Sequence, residues 1–159
     1  MALALGGNAP GSADLLRRAA HLLAAILDHP HCGALYRSAP RSNLEQPPFL
    51  NTAVAGETDL DPFDLLAIAK WLEHRAGRRP GPRWGPRPLD VDLLVCGDLV
   101  LTTPELTLPH PRLRSRRFVL APLADAAPGL RLPPDGARVE DLLAAVGQET
   151  EVERIGPCC

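Results

Sequence analysis

Residues 89–95 read Leu-Asp-Val-Asp-Leu-Leu-Val, and this stretch decides the fold that the sequence predicts. A short run rich in Leu and Val, without Gly or Pro, is typical of a strand. Because side chains two residues apart on a strand point to the same face, Asp90 and Asp92 emerge together while Val91 and Leu93 face the core. The stretch therefore predicts a strand with one buried face and one face that carries two carboxylates.

The other elements follow from hydrophobic periodicity and from turn signals on both sides of this strand. Strands are predicted at 2–5, 34–38 and 49–58, with 100–101 as a short partner strand after the Gly97-Asp98 turn. Helices are predicted from Ser12 to about Leu27, closed by Pro30, from the cap Asp61 to about His74, and over 139–146. The order β-α-β-β-α-β predicts an α+β fold, a ferredoxin-like antiparallel sheet with helices packed on it and C-terminal additions.

The composition indicates one globular domain over residues 1–159, because this length falls within the usual range for a single core. A net charge of -2 argues against a general nucleic-acid coat, which needs an excess of positive charge. No apolar run approaches the roughly 18 residues that a membrane-spanning helix needs. We therefore expect a soluble protein without nucleic-acid or membrane partners.

The cysteines and the first residues indicate a cytoplasmic location. Nothing like a signal peptide precedes Gly6, and the four cysteines show neither C-x-x-C spacing nor the density of a disulfide scaffold. We expect reduced thiols, and we expect Cys158 and Cys159 to lie in a frayed tail.

The choice of basic residues is unusual, because sixteen of the seventeen are Arg and only Lys70 is Lys. Five arginines precede the acid pair within 75–87, and four more lie within 112–117. A guanidinium group can bind two oxygens of one phosphate at the same time. Two carboxylates on one face suit Mg²⁺, whose further ligands come from substrate phosphates. The combination favours a metal-bound phosphate site. Two solvated surface acids beside a proline-rich, incidentally charged loop are the alternative, although Trp84 is costly to expose in such a loop.

Two further positions suit a heterocyclic substrate. Phe49 and Asn51 lie two residues apart on one predicted strand, so a ring and an amide share a face. An amide both donates and accepts hydrogen bonds, as a pterin or purine edge requires, although a core Phe beside a turn Asn is an equal alternative. His110, held between prolines and followed by four arginines, is placed to face a phosphate.

These motifs resemble those of the 6-hydroxymethyl-7,8-dihydropterin pyrophosphokinase family. The resemblance runs almost from end to end, and its most specific part is Arg83-Trp84-Gly85-Pro86-Arg87-Pro88-Leu89-Asp90-Val91-Asp92. It also includes the segments Ala4–Asn8, Tyr36–Ser38, Gln46–Asn51, Leu108–Arg112 and Arg116–Leu123. The resemblance implies a ferredoxin-like fold and transfer of pyrophosphate from ATP to a pterin hydroxymethyl group, with AMP as the second product.

The resemblance also implies roles for individual residues. Asp90 and Asp92 would hold two Mg²⁺ ions, with Asp92 also near the attacking hydroxyl, and Arg78 and Arg87 would neutralise the transferring group. The pterin would contact Ser38, Ala39, Phe49, Asn51, Asp90 and Phe118. ATP would contact Glu73, Arg83, Trp84, His110 and Arg116.

Some features depart from the family pattern, and other functions stay open. Gly7 stands where many members carry Ser, and the loop between Gly77 and Trp84 is about one residue shorter than in some relatives. A ferredoxin-like RNA-binding module is one alternative, although the six aromatic residues form no RNA-binding string. Another metal-dependent phosphotransferase on the same scaffold is a second. We expect a monomer.

Overall fold

The computed structural model describes residues 1–40, 45–78, 85–147 and 151–159. Its main sheet contains β1 (Ala2–Gly7), β2 (Asp28–Cys32), β3 (Leu35–Ser38), β4 (Phe49–Glu57), β5 (Asp90–Val95) and β10 (Val152–Gly156). Two small hairpins are β6 (Leu101–Thr102) with β7 (Thr107–Leu108), and β8 (Arg131–Leu132) with β9 (Ala137–Arg138). The helices are α1 (Ser12–Ala24), α2 (Pro62–Arg75), α3 (Arg117–Ala126) and α4 (Val139–Ala145), with a 3-10 turn at Leu113–Ser115.

The strand order in the main sheet is β10-β3-β4-β1-β5, and β2 pairs with the second half of β4. All of these pairs are antiparallel. Without β2 and β10, this is the order of a β-α-β-β-α-β unit in which each helix connects two non-adjacent strands. The predicted ferredoxin-like α+β fold is confirmed.

Helices α1 and α2 cover one face of the sheet. Leu3 and Leu5 of β1 pack there with Val91 and Leu93 of β5, and the apolar side chains of both helices complete this core. Helix α2 begins as the sequence predicts, because Asp61 accepts a hydrogen bond from the Phe63 amide at 2.8 Å and Pro62 follows the cap. Local capping and periodicity therefore determine this layer.

Helix α3 covers only part of the opposite face. Its residues Leu120 and Leu123 pack on Ala2, Ala53 and Leu94, which all point away from α1 and α2. Toward the other end of the same strands, this face carries Gly6, Asn51 and Asp90 and borders a cleft. Because α3 covers only part of this sheet face, the uncovered part stays open and forms the cleft.

One helix prediction and one strand prediction are wrong in detail. Helix α1 ends at Ala24 rather than Leu27, and Asp28–Cys32 forms β2 with Pro30 inside it. Proline has no amide proton to donate to a strand ladder. The strand tolerates Pro30 because its register shifts between Asp28 and His31, where the ladder does not require that donor. The short strand predicted at 100–101 is Leu101–Thr102, and it pairs with β7 rather than with β5.

The C-terminal residues are ordered, contrary to the expectation of a frayed tail with reduced thiols. Strand β10 pairs with β3, with Val152 opposite Ser38 and Arg154 opposite Tyr36. Cys159 forms a disulfide with Cys32 of β2, across a sequence separation of 127 residues, and Cys158 is buried. Spacing along the chain does not reveal this pair, because the fold brings the two cysteines together.

None of the helices in the described part of the chain has the length and apolar character that crossing a bilayer requires. This finding agrees with the absence of a long apolar run in the sequence.

The disulfide should contribute strongly to stability, because it closes a very long loop in the unfolded chain. Cys159→Ser should lower the free energy of unfolding by up to about 5 kcal/mol in the loop-entropy account. Urea denaturation with and without dithiothreitol measures the effect. Cys32→Ser and the double variant should match the single variant, and reductant should change none of the three. Equal stability of the parent under oxidising and reducing conditions would contradict the assignment.

Candidate active site

One row of residues crosses the open half of the sheet and forms the floor of the cleft. Asp90 of β5 lies opposite Gly6 of β1, Gly6 lies opposite Asn51 of β4, and Asn51 lies opposite Tyr36 of β3. A carboxylate and an amide thus flank a residue without a side chain. A Cβ atom at Gly6 would lie 3.4 Å from the Asn51 side-chain oxygen, so glycine keeps the centre of the row open.

The cleft above this row has a volume of about 810 Å³, which is within the range of small-molecule sites. The predicted site residues among its lining are Ser38, Ala39, Phe49, Asn51, Arg78, Arg87, Asp90, Asp92, His110, Arg116 and Phe118. Residues from three strands, α3 and three connecting segments therefore meet at one place.

Asp90 is the most strongly paired acid of the cleft. Arg78 donates to one of its carboxylate oxygens at 2.5 Å and Arg87 donates to the other at 2.9 Å. Burial alone would raise the pKa of Asp90, but the two guanidinium groups outweigh it and hold the pKa below its ordinary value. Asp90 is therefore ionised at neutral pH and orients both arginines.

Glu73 lies behind Asp90 and is 4% exposed. Its carboxylate accepts a hydrogen bond from the Val91 amide at 2.9 Å, contacts Lys70 at 3.1 Å and forms an ion pair with Arg78. Burial raises its pKa, although these partners oppose the shift. The structure thus places Glu73 as the support of Arg78 and Lys70, and its predicted contact with ATP stays a prediction.

Asp92 shares the cleft face with Asp90, and its carboxylate lies 3.9 Å from His110 Nε2. The Arg112 amide donates to His110 Nδ1 at 3.2 Å, so a neutral imidazole carries its proton on Nε2, toward Asp92. Burial lowers the pKa of His110; Asp92 raises it, and Arg116 and Arg112 lower it again. His110 is therefore a neutral donor that points into the cleft at pH 7.

The heterocycle side of the cleft has aromatic walls and an amide floor. Phe49 approaches from β4 and Phe118 from the first turn of α3, where the Arg116 guanidinium lies 5.5 Å from the Phe118 ring centre. Asn51 is 5% exposed and donates to Ser38 Oγ at 2.9 Å. This bond fixes the orientation of the amide group.

The segment before β5 is anchored to β1 by backbone contacts. The backbone amide of Asn8, directly after β1, donates to the Arg87 carbonyl at 2.9 Å. In return, the backbone amide of Arg87 donates to the side-chain oxygen of Asn8 at 3.0 Å. A Cβ atom at Gly7 would lie 2.4 Å from the Pro88 carbonyl oxygen. This close approach explains why this chain carries glycine at position 7.

The predicted arginine clusters divide into two groups. Arg78, Arg87, Arg112 and Arg116 line the cleft. The others serve the fold: Arg75 stacks on Trp71, Arg114 pairs with Asp135, and Arg117 donates to the Leu143 and Val146 carbonyls. Arg79, Arg83 and Trp84 lie outside the described residues.

Sequence reasoning missed two contributors to the site. Lys70 lines the cleft; the resemblance places it near the ATP-binding positions, but it was not among the predicted site residues. Asn8 donates to Gln46 at 3.1 Å and to the Pro47 carbonyl at 3.0 Å, so it also anchors the segment before Phe49. The buried polar side chain beside Gly6-Gly7 is the signal that could have identified Asn8.

An antiparallel α+β sheet whose cleft combines two carboxylates with four arginines fits the class of enzymes that transfer phosphate groups. Residues 2–128 match the model of the 7,8-dihydro-6-hydroxymethylpterin-pyrophosphokinase (HPPK) family, and the chain belongs to this family. The resemblance drawn from the motifs is confirmed. The protein is thus an enzyme of the ATP-dependent diphosphotransferase class.

Curated relatives agree with this assignment. Two are named 2-amino-4-hydroxy-6-hydroxymethyldihydropteridine pyrophosphokinase. The one from Pseudomonas aeruginosa is 48% identical over 111 residues, which cover 70% of this chain and 68% of the relative. The one from Methylorubrum extorquens is 37% identical over 155 residues, which cover 96% of each chain.

Longer proteins also contain a similar region. A mitochondrial folate synthesis bifunctional protein of Arabidopsis thaliana is 43% identical over 125 residues, 77% of this chain and 22% of that protein. The crystal structure of Plasmodium falciparum HPPK-DHPS superposes with a TM-score of 0.69 at 14% identity, covering 91% of this chain and 44% of that one. At this identity the superposition supports the fold alone.

The ion pairs of Asp90 predict a measurable pKa shift. Arg87→Gln should raise the pKa of Asp90, because only Arg78 would then oppose the effect of burial. A pH titration of the Asp90 carboxyl carbon by NMR measures the shift. In the parent protein, ionised Asp90 stabilises the fold above the ordinary aspartate pKa of 3.8, and this contribution disappears as the pH falls through the lower folded-state value. Acid unfolding of the variant should therefore begin at higher pH.

Arg114→Gln is the matched control for this titration, because Arg114 pairs with Asp135 at 2.7 Å and lies outside the cleft lining. It should leave the pKa of Asp90 unchanged. An unchanged pKa of Asp90 in Arg87→Gln would show that the ion pair does not determine its ionisation.

Proposed function

We propose that this protein transfers pyrophosphate from ATP to 6-hydroxymethyl-7,8-dihydropterin in a Mg²⁺-dependent reaction, giving the pterin diphosphate and AMP. One observation carries the proposal: in a member of this family, a single cleft joins an aromatic and amide half to a half with two carboxylates and four arginines. The first half suits a flat heterocycle and the second suits a polyphosphate.

The pterin ring fits between Phe49 of β4 and Phe118 of α3, which both line the cleft. Flat aromatic walls favour stacking with a fused ring, and the fixed Asn51 amide offers a hydrogen-bonding edge in the plane of such a ring. Ser38, which accepts a hydrogen bond from the Asn51 amide, and Ala39 also line the cleft. The pterin hydroxymethyl group would then point toward Asp90 and Asp92.

The phosphates of ATP fit the arginine side of the cleft. Arg78 and Arg87 are already held by Asp90, and their remaining N–H groups are suited to the transferring group. His110 offers a neutral Nε2 donor, and Arg112 and Arg116 add positive charge. Glu73, Arg83 and Trp84 complete the proposed ATP contacts, although Arg83 and Trp84 lie outside the described residues.

The donor set of the cleft suits Mg²⁺. Asp90 and Asp92 supply two hard oxygen donors from one strand face, and Mg²⁺ typically takes one or two carboxylates together with phosphate oxygens and water. Across the described ranges, no group of three or more His, Cys, Asp or Glu side chains is arranged to hold a metal. We propose that Asp90 and Asp92 hold two ions together with the substrate phosphates. When bound, Mg²⁺ neutralises phosphate charge and acidifies a bound hydroxyl.

The reaction requires no protein nucleophile. The hydroxymethyl oxygen forms a bond to the β-phosphorus of ATP, the bond from that phosphorus to the bridging α-β oxygen breaks, and AMP leaves with that oxygen. The hydroxyl proton passes to solvent water, with the Asp92 carboxylate on the side of the attacking oxygen. Arg78 and Arg87 stabilise negative charge on the transferring group, so positioning and electrostatics supply the acceleration.

The remaining expectations concern the setting of the enzyme. A single domain, a monomeric state, a cytoplasmic location and small-molecule substrates without nucleic-acid or membrane partners all stay predictions. The RNA-binding alternative gains no support from the fold, because α3 covers part of the sheet face that such a module would use for RNA.

Asp92→Ala should abolish turnover, because it removes one of the two carboxylates proposed to hold Mg²⁺. The assay supplies ATP, Mg²⁺ and 6-hydroxymethyl-7,8-dihydropterin and separates AMP from ADP by chromatography. The parent protein should release AMP only when the pterin is present, and chelation by EDTA should stop the reaction. Asp98→Ala, at an exposed turn, is the matched control and should retain parent activity. ADP as the product would overturn the proposed reaction, and parent-like activity of Asp92→Ala would overturn the metal assignment.

Arg78→Ala and Arg87→Ala should lower kcat by about 10²-fold or more, as expected when a group that stabilises transition-state charge is lost. The affinity for the pterin should stay nearly intact, since neither side chain belongs to the aromatic half of the cleft. Steady-state kinetics and pterin titration by calorimetry separate the two effects, with Arg114→Ala as the control. An equal loss of pterin affinity would make these arginines binding groups.

A further inference from the structure

The row of residues on the cleft floor continues beyond the site. Tyr36 of β3 lies opposite Asn51 on one side and opposite Arg154 of β10 on the other. Tyr36 is only 9% exposed, and its hydroxyl donates to Asp125 Oδ2 of α3 at 2.9 Å. Burial and Asp125 both raise the pKa of Tyr36, so the hydroxyl keeps its proton at neutral pH. A donor on the sheet is thus bonded to an acceptor on the helix.

Asp125 is a junction of three segments. Besides the Tyr36 hydroxyl, its Oδ2 atom accepts from the Ala34 amide at 3.3 Å and lies 3.5 Å from Arg154 Nε. The first two contacts attach α3 to the segment around β3, and the third attaches it to the C-terminal strand. Residue 154 lies beyond the 2–128 range that matches the family model, so this third contact involves a segment outside that match.

The packing beside this junction allows little movement. A Cβ atom at Gly33 would lie 2.2 Å from the Pro122 carbonyl oxygen, so α3 and the chain before β3 approach as closely as glycine permits. Ala34, Tyr36 and Ala121 form a small apolar cluster at the same place. Leu120 and Leu123 also hold α3 on the sheet, and the Tyr36 to Asp125 bond adds directional control at the C-terminal end of the helix.

The same helix carries an aromatic wall of the cleft. Phe118 precedes Asp125 by seven residues, which is two helical turns, so both side chains lie on the same side of α3 about 10 Å apart along its axis. A small rotation of α3 about the junction at Asp125 would therefore move Phe118 relative to the sheet. Phe49 and Asn51 would not follow, because they belong to β4.

We propose that Tyr36 and Asp125 are positioning residues for the pterin site: their hydrogen bond fixes α3 on β3 and thereby sets the separation between Phe118 and strand β4, which carries Phe49 and Asn51. The inference rests on the proposed function, since it assumes that this slot holds the pterin. Neither residue touches the substrate or the phosphates in this account. Their effect is on the shape of the aromatic slot alone.

Tyr36→Phe tests the proposal, because it removes the hydroxyl and keeps the ring. We expect KM for 6-hydroxymethyl-7,8-dihydropterin to rise roughly five- to tenfold, the range expected for losing part of one hydrogen bond to a charged group. We expect kcat at saturating pterin and KM for ATP to stay within about twofold of the parent. A variant that weakens pterin binding equally in the ground state and in the transition state raises KM for the pterin and leaves kcat unchanged. Asp125→Ala should reproduce the rise, and Asp125→Asn should largely restore the parent KM through its amide oxygen.

Arg37→Ala is the matched control, since Arg37 neighbours Tyr36 on β3 but is exposed and pairs with Glu153. It should leave the pterin KM unchanged. A role limited to global stability would lower the melting temperature without the selective KM change, and that result would overturn the proposal. So would parent-like pterin KM in both Tyr36→Phe and Asp125→Ala. Failure of the parent protein to release AMP would instead overturn the proposed function, so the two failures are distinguishable.

Discussion

The structure depends most on how negative charge is balanced at the edge strand β5. Glu73 is buried and Asp90 is half-buried, and full burial of an unpaired carboxylate is unfavourable by several kcal/mol. Arg78 resolves this conflict by pairing with both acids, while Arg87 and Lys70 each pair with one. The phosphate half of the cleft is therefore built before any phosphate arrives. Asp90, one of the two acids proposed to hold Mg²⁺, also holds both arginines in place.

The sequence predicts the elements that depend on local signals and misses those that depend on distant partners. Strand β5 and the start of α2 follow from alternation and from the Asp61-Pro62 cap. Helix α3 was not predicted because Pro122 interrupts its pattern, and tertiary packing on β3 and β4 overrides that signal. Strands β2 and β10 form because β4 and β3 offer open edges, and no local pattern reveals an open edge.

The same distinction applies to the site. The common face of Asp90 and Asp92 follows from the period of a strand, which needs no knowledge of the fold. The period of a strand does not predict which arginines face the cleft. Arg116 lines the cleft, whereas its neighbour Arg117 donates to carbonyl groups of α4 and of the residue after it. Density of charge along a chain predicts that a phosphate site exists. Which side chains face it depends on the helix that begins at that point.

Strand β10 has a consequence for the behaviour of the protein at high concentration. Without it, the backbone groups of Leu35–Ser38 would form an open sheet edge beside apolar side chains, and such edges recruit strands of other molecules. Strand β10 replaces that edge with one that displays Glu153 and Arg154, whose charges disfavour further pairing. The Cys32–Cys159 link holds this cover in place. Strand β10 thus pairs backbone groups of β3 that would otherwise form an open edge.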